Sequence, residues 1–221
     1  MIQHFGSKRA GEFLTLYGAD VMTAQREKIA PQYQTVLDER QALYEQYRFF
    51  HWDLEFPEVF IDLGTASWKE NPGFDAIVGN PPYDELSESA LGRPIHERNY
   101  LLNAPLYSPT QASRGRLNWY HYFMVQTLEL LRKHGRNGLI TPMSWLGDNF
   151  TFGVRKWMIE NHRPVLIEAF PQKDNPLNRV FFDAKLSTTV YIAEKKRTTG
   201  AIEIRVHPGK EILQTSHFAV E

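Results

Sequence analysis

The chain of 221 residues has no cysteine, which excludes disulfides and thiolate metal sites and fits a cytoplasmic setting. None of its fourteen glycines stands two positions from another. There is accordingly no G-x-G turn of the kind that brings backbone against a nucleotide at the start of a helix. No apolar run approaches the length of a bilayer span, and no charged-then-apolar leader opens the chain, so no membrane association is expected. The net charge is only −1, which excludes a strongly basic module and leaves polyanion binding to local patches. Eight histidines, among them His96, His121, His134 and His162, show no metal-ligand spacing, and no metal is expected. Internal repeats and low-complexity stretches are also absent.

What is present is ordinary in bulk and specific in places. Apolar residues make up 42% and mean hydropathy is −0.44, the values of a folded domain. Aromatics reach 13%, with five tryptophans, a supply suited to stacking surfaces. From Pro31, the positions Tyr33, Val36, Leu37, Leu43, Tyr44, Tyr47 and Phe50 recur at helical spacing, so residues 12–50 are expected to form one or two amphipathic helices. An aromatic and acidic segment, Phe50-His51-Trp52-Asp53-Leu54-Glu55-Phe56-Pro57-Glu58-Val59-Phe60, follows and is expected to end in a short extended piece. Asn71-Pro72-Gly73 signals a turn before a strand over Phe74–Val78.

Residues 84–116 carry turn formers (Gly92, Pro94, Pro105, Pro109, Gly115) and little periodicity, the pattern of a long loop. A helix is expected from Trp119 to Leu131, stopped by Lys133-His134-Gly135. Further expectations are a strand over 138–142, a helix over 152–161, and strands over 165–170, 188–193 and 201–206. Strand, loop, helix, strand, helix, strand, strand is an α/β order, parallel with one antiparallel member.

Asn80-Pro81-Pro82-Tyr83 follows the first of these strands. Two prolines cannot continue a ladder, so the strand must stop at Asn80. An amide and an aromatic ring are thereby fixed on a stiff loop at the carboxyl end of a strand, the edge where open α/β sheets bind ligands. A chance [Asn/Asp]-Pro-Pro-aromatic in a chain of this length is expected at roughly the one-per-cent level. A structural double-proline turn with a packed tyrosine is the competing reading.

These segments in order, from Phe50–Phe60 and Phe74–Tyr83 through Asn118–Leu131, Gly138–Trp145, Val180-Phe181-Phe182 and Thr188–Lys195, resemble the adenine-specific (N6) DNA methyltransferases of restriction-modification and phage-defence systems. The likeness is greatest to type IIG-like and BREX-type methylases, and it spans roughly residues 30–197. It implies the C-terminal half of a Rossmann-like class I methyltransferase sheet with an N-terminal helical segment. The domain expectation is a helical lead-in over 1–70, a catalytic half over 71–197, and over 198–221 the start of a segment leading to a target-recognition domain. The tetrapeptide also occurs in guanine-N2 RNA and release-factor glutamine methyltransferases. A non-catalytic remnant is the remaining reading.

The resemblance assigns roles. Asn80 and the Pro81 carbonyl would accept the hydrogens of an amino group, and Pro82 would hold that carbonyl still. Tyr83 would stack on a base flipped out of double-stranded DNA, with Phe181 or Phe182 as a second wall. Trp119 and Tyr120 would line the cofactor pocket, and core packing competes for them as for both phenylalanines. Asn80 and Asn118 would face S-adenosylmethionine, although Asn118 also suits a helix cap. Arg114 and Arg116 are the favoured phosphate contacts, with Arg132, Lys133, Arg136, Arg155 and Lys156 read as solvated surface or phosphate ligands. The glycine-rich cofactor loop and the first strands of such a fold have no candidates. A cofactor-binding half and a target-recognition domain are therefore expected in cis or in trans, and little methylation is expected of these residues alone.

Overall fold

The computed structural model describes residues 26–47, 50–95, 98–111, 118–196, 200–210 and 216–220. The chain divides into two compact units, residues 1–56 and 57–221. In the first, a 3-10 turn Pro31–Tyr33 with proline in its first turn runs into a helix Gln34–Tyr47. Proline suits that position because its missing N–H would have had no helical partner. Phe50, Trp52 and Phe56 gather further on, with the Trp52 and Phe56 rings stacked at 6.0 Å.

The second unit opens with a helical turn Pro57–Phe60 and a small hairpin, β1 (Ile61–Asp62) and β2 (Ser67–Trp68). The segment Phe50–Phe60, expected to end in a short extended piece, thus ends in a helical turn, and the strand follows it. The main sheet holds β3 (Phe74–Gly79), β4 (Leu131–Pro142), β5 (Arg163–Phe170), β6 (Thr188–Glu194), β7 (Ile202–Val206) and β8 (Ser216–Val220) in the order β3-β4-β6-β5-β7-β8. β3 pairs parallel with β4, and β5 parallel with β7. β6 runs antiparallel between β4 and β5, and β8 antiparallel to β7. The fold is α/β with a mixed sheet.

Two crossover helices, Trp119–Leu130 and Phe152–Asn161, contribute to one core on one face of this sheet. Tyr120, Met124, Val125 and Leu128 meet Leu139, Tyr191, Ile167 and Met158 there, all nearly or fully buried. Each such side chain stabilises the fold by roughly 1.5–3 kcal/mol. Asn137 is the polar member, donating through Nδ2 to Thr127 Oγ1 at 3.0 Å and Tyr191 Oη at 3.2 Å. The other face differs. Ile140, Val190, Ile192 and Leu166 are only half-buried, and Val78 on the edge strand β3 is 86% exposed.

Two further expectations need correction. The helix ends at Leu130, and Lys133-His134-Gly135 lies within β4, at the irregularity where Phe74 pairs Leu131 but Ala76 pairs Arg136. His134 takes φ +69° there. Gly135 is needed for close approach rather than as a helix stop, since a Cβ would come 2.7 Å from the Phe74 carbonyl oxygen. Gly73 matches it across the bulge: φ is +123° and a Cβ would meet Arg132 N at 2.4 Å. Nor do residues 84–116 form one long loop. They contain helices Glu88–Leu91, Arg98–Asn103 and Ser108–Gln111 and a 3-10 turn Pro105–Tyr107, with Leu101, Ala104, Tyr107 and Thr110 buried.

Among the described residues no helix is long and apolar enough to cross a membrane, and no cluster of acidic or histidine side chains suits a metal ion.

Candidate active site

β3 ends at Gly79, opposite Leu139 of β4, and Asn80-Pro81-Pro82-Tyr83 leaves the sheet at that edge. β4 ends beside it at Pro142, which faces Thr188 of β6, and Phe170 at the end of β5 faces the same Thr188. The tetrapeptide, the turn after β4 and the β5–β6 loop therefore share one edge. Asn80 is exposed and makes no side-chain hydrogen bond among the described residues, while Pro81 is buried.

Tyr83 is half-buried and held from three directions. Its hydroxyl donates to the Ile140 carbonyl oxygen at 3.1 Å. Tyr120 meets its ring at 6.3 Å and 87°, and Phe181 at 6.0 Å and 67°. Both contacts are T-shaped, the arrangement that ring quadrupoles favour, so neither neighbour lies parallel over the Tyr83 ring. Burial pushes the Tyr83 phenol up to about 12, as it does Tyr120. Tyr83 is thus a neutral donor at physiological pH and no general base.

The chain beyond Tyr83 is tied down too. The Trp119 N–H donates to the Asp84 carbonyl oxygen at 3.1 Å, and Glu85 forms an antiparallel bridge with Asn118. Asn118 occupies the N-cap of Trp119–Leu130, and its N–H donates to His121 Nδ1 at 3.3 Å. With Nδ1 accepting, the His121 proton resides on Nε2, which is buried. Burial drives the His121 pKa down to about 4.

The remaining candidates separate. Phe181 lies against Tyr83, whereas Phe182, its neighbour in the chain, is 66% exposed. Neither is fully buried core. Tyr120 is completely buried and Trp119 partly so. Arg114 and Arg116 lie outside the described residues. Arg132 is paired with Asp75 at 2.5 Å, Arg136 with Glu194 at 3.2 Å, and Lys156 with Glu160 at 3.8 Å. Arg155 is half-buried rather than freely solvated. It turns inward to the carbonyl oxygens of Trp145 at 2.5 Å and Asp148 at 2.7 Å, tying down the turn after β4.

One contributor escapes a reading of the sequence, the Ile140 carbonyl, while Tyr120 takes its core-packing reading and also walls Tyr83. Ile140 sits in the short apolar run Leu139-Ile140 of β4, and only the pairing of β3 with β4 brings it to Tyr83. A cleft of about 690 Å³ opens at the same edge, lined by Met143, Ser144 and Asp148 after β4 and by Lys173, Lys185 and Ser187 of the β5–β6 loop.

Residues 12–175 match the family described as Eco57I restriction-modification methylase. A type II methyltransferase of Thermus thermophilus is 34% identical over 109 residues, which cover 47% of this chain and 24% of that protein. This chain thus matches about a quarter of that curated relative's length. Among solved structures, the type I methyltransferase subunit from Streptococcus thermophilus is similar at 23% identity and a TM-score of 0.45, over 62% of this chain and 27% of that one. The type ISP restriction-modification enzyme LlaBIII bound to DNA is similar at 20% identity and a TM-score of 0.47, over 60% of this chain and 10% of that one.

Proposed function

This chain belongs to the Eco57I restriction-modification methylase family, and from that premise we propose that it carries the acceptor side of site-specific adenine-N6 DNA methylation within a larger restriction-modification enzyme. One observation carries the reading. An exposed, uncommitted Asn80 amide stands at the carboxyl end of β3, three residues before a tyrosine ring fixed by Ile140, Tyr120 and Phe181.

An exocyclic amino group is a poor nucleophile because its lone pair is delocalised into the ring. Two acceptors, one for each hydrogen, favour a pyramidal nitrogen with a directed lone pair. In this reading Asn80 Oδ1 and the Pro81 carbonyl oxygen are those acceptors, and the two prolines remove the cost of arranging them at the moment of reaction. Tyr83 supplies a stacking surface worth about 1–3 kcal/mol. That is comparable to the few kcal/mol needed to extrude a base from a duplex. The neutral Tyr83 phenol, with its hydroxyl already donating to Ile140, positions the ring and takes no proton.

S-adenosylmethionine is the methyl donor in this reading. The sequence has no G-x-G turn, and β3 is hydrogen-bonded along one edge only among the described residues. Sheets built with crossover helices are ordinarily covered on both faces. The half-buried Ile140, Val190, Ile192 and Leu166, with the exposed Val78, therefore mark where a cofactor-binding half is proposed to pack.

The test is radiolabelled methyl transfer by the intact gene product to DNA, RNA and protein in parallel. Label recovered as N6-methyladenine in DNA is expected. Label in RNA guanine or in protein glutamine instead would overturn the assignment.

A further inference from the structure

The β5–β6 loop, Pro171–Ser187, is built more firmly than a connection requires. Ser187 Oγ donates to the Pro171 carbonyl oxygen at 2.8 Å and closes its neck. The Arg179 guanidinium gathers three carbonyl oxygens of the loop, those of Lys173 at 2.5 Å, Asp174 at 3.4 Å and Phe182 at 3.4 Å. Lys185 pairs with Asp174 at 3.0 Å across it. The loop is thus cross-tied by its own side chains, and compact surface loops are often recruited to function. Yet it holds two large apolar side chains out in solvent, Leu177 at 68% and Phe182 at 66% exposure. The bracing fixes the backbone that carries one of them, through Arg179 to the Phe182 carbonyl oxygen.

Their place matters. Phe181 touches the Tyr83 ring, so Phe182 stands immediately outside the proposed base pocket. The loop carries Lys173, Arg179 and Lys185 against Asp174 and Asp183, and Lys173 and Lys185 line the neighbouring cleft. Lysine is depleted at protein–protein contacts and enriched where phosphates are neutralised. An exposed phenylalanine on a loop that also presents Lys173 to the cleft matches the apolar wedges that enter base steps. Extruding a base also leaves a gap that an inserted ring can fill.

We propose that Phe182, flanked by Leu177 and held by Arg179, is an apolar wedge that occupies the base stack of duplex DNA beside the extruded base. The proposal rests on the base-pocket reading above and adds a second point of engagement with the duplex. Phe182 contacts the nucleic acid, and Arg179 acts on it only by positioning.

The experiment compares the intact protein on three otherwise identical duplexes: fully paired, with one abasic site, and with one unpaired adenine. Wild type is expected to bind the abasic duplex roughly tenfold more tightly than the paired one, the scale of one stacking contact. Phe182→Ala removes that preference, weakening binding to the abasic duplex more than to the paired one, and Phe182→Trp keeps it. Arg179→Leu reduces the preference without touching DNA. No preference in wild type, or one that survives Phe182→Ala, overturns the wedge. So does a fall in melting temperature of Phe182→Ala with the preference intact, which would mean that another protein segment covers the ring. Tyr83→Ala is read on the unpaired-adenine duplex alone. Insensitivity there overturns the base pocket, whatever Phe182 does.

Discussion

The Tyr83 hydroxyl donates to the carbonyl oxygen of Ile140, 57 positions further along the chain, at 3.1 Å. This bond joins the loop after β3 to the body of β4 and sets the plane of the proposed stacking ring. Tyr83→Phe leaves the ring and removes the bond, so a loss of about 1 kcal/mol in stability is expected. Tyr83→Ala removes both and should weaken binding of a duplex with an unpaired adenine by a further 1–3 kcal/mol, roughly 5- to 150-fold. Thermal unfolding and fluorescence anisotropy separate the two. Equal DNA affinity for the Phe and Ala variants would contradict stacking.

Asn80 is exposed and has no internal side-chain bond among the described residues, so Asn80→Ala should leave the melting temperature unchanged. Methyl transfer by the intact enzyme is expected to fall by about 100-fold or more, the effect of removing one preorganised polar group at a reacting centre. A structural role would give the opposite pattern, lost stability with retained transfer.

Much of this edge is legible in the sequence because proline punctuation is local. Pro81 and Pro82 end β3 where a ladder cannot continue, and the apolar spacing from Trp119 to Leu128 marks a helix that the structure contains. The 84–111 stretch misleads for the same local reason. Pro105 and Pro109 lie in the first turns of short helical elements rather than breaking longer ones. Gly92, at φ +63°, closes Glu88–Leu91, whose start is capped when Ser87 Oγ accepts from the Ala90 N–H at 3.2 Å. The Ile140 partnership and the cross-bracing by Arg179 use backbone carbonyls, which no residue letter reports.

Acid should destabilise the fold through two buried histidines. Burial lowers both His121 and His162 to about 4, with Lys195 adding to the effect at His162. An unfolded histidine titrates near 6.5. Above that pH both states are neutral and nothing is lost. As pH falls from 6.5 towards 4 the unfolded chain takes up protons that the folded one does not. Stability then drops by on the order of 2–3 kcal/mol per histidine. His162→Phe should flatten this limb in chemical denaturation at pH 7, 6, 5 and 4.5, whereas a curve as steep as wild type would remove His162 from the account.

β3 is an apolar strand bonded on one edge among the described residues, with Val78 86% exposed. Such an edge templates further strands, and charge on it discourages them. Purified alone, the 221 residues are expected to self-associate and to show no robust S-adenosylmethionine binding by calorimetry. Val78→Lys should raise the fraction of monomer in sedimentation velocity, since the side chain has no burial to lose. In the full-length enzyme the same change should reduce methylation, because there the proposed cofactor-binding half packs on this edge and face. Improved solubility with undiminished full-length activity would show that nothing needs to dock at Val78. Tight cofactor binding by the isolated chain would show that these residues already make a cofactor site of their own.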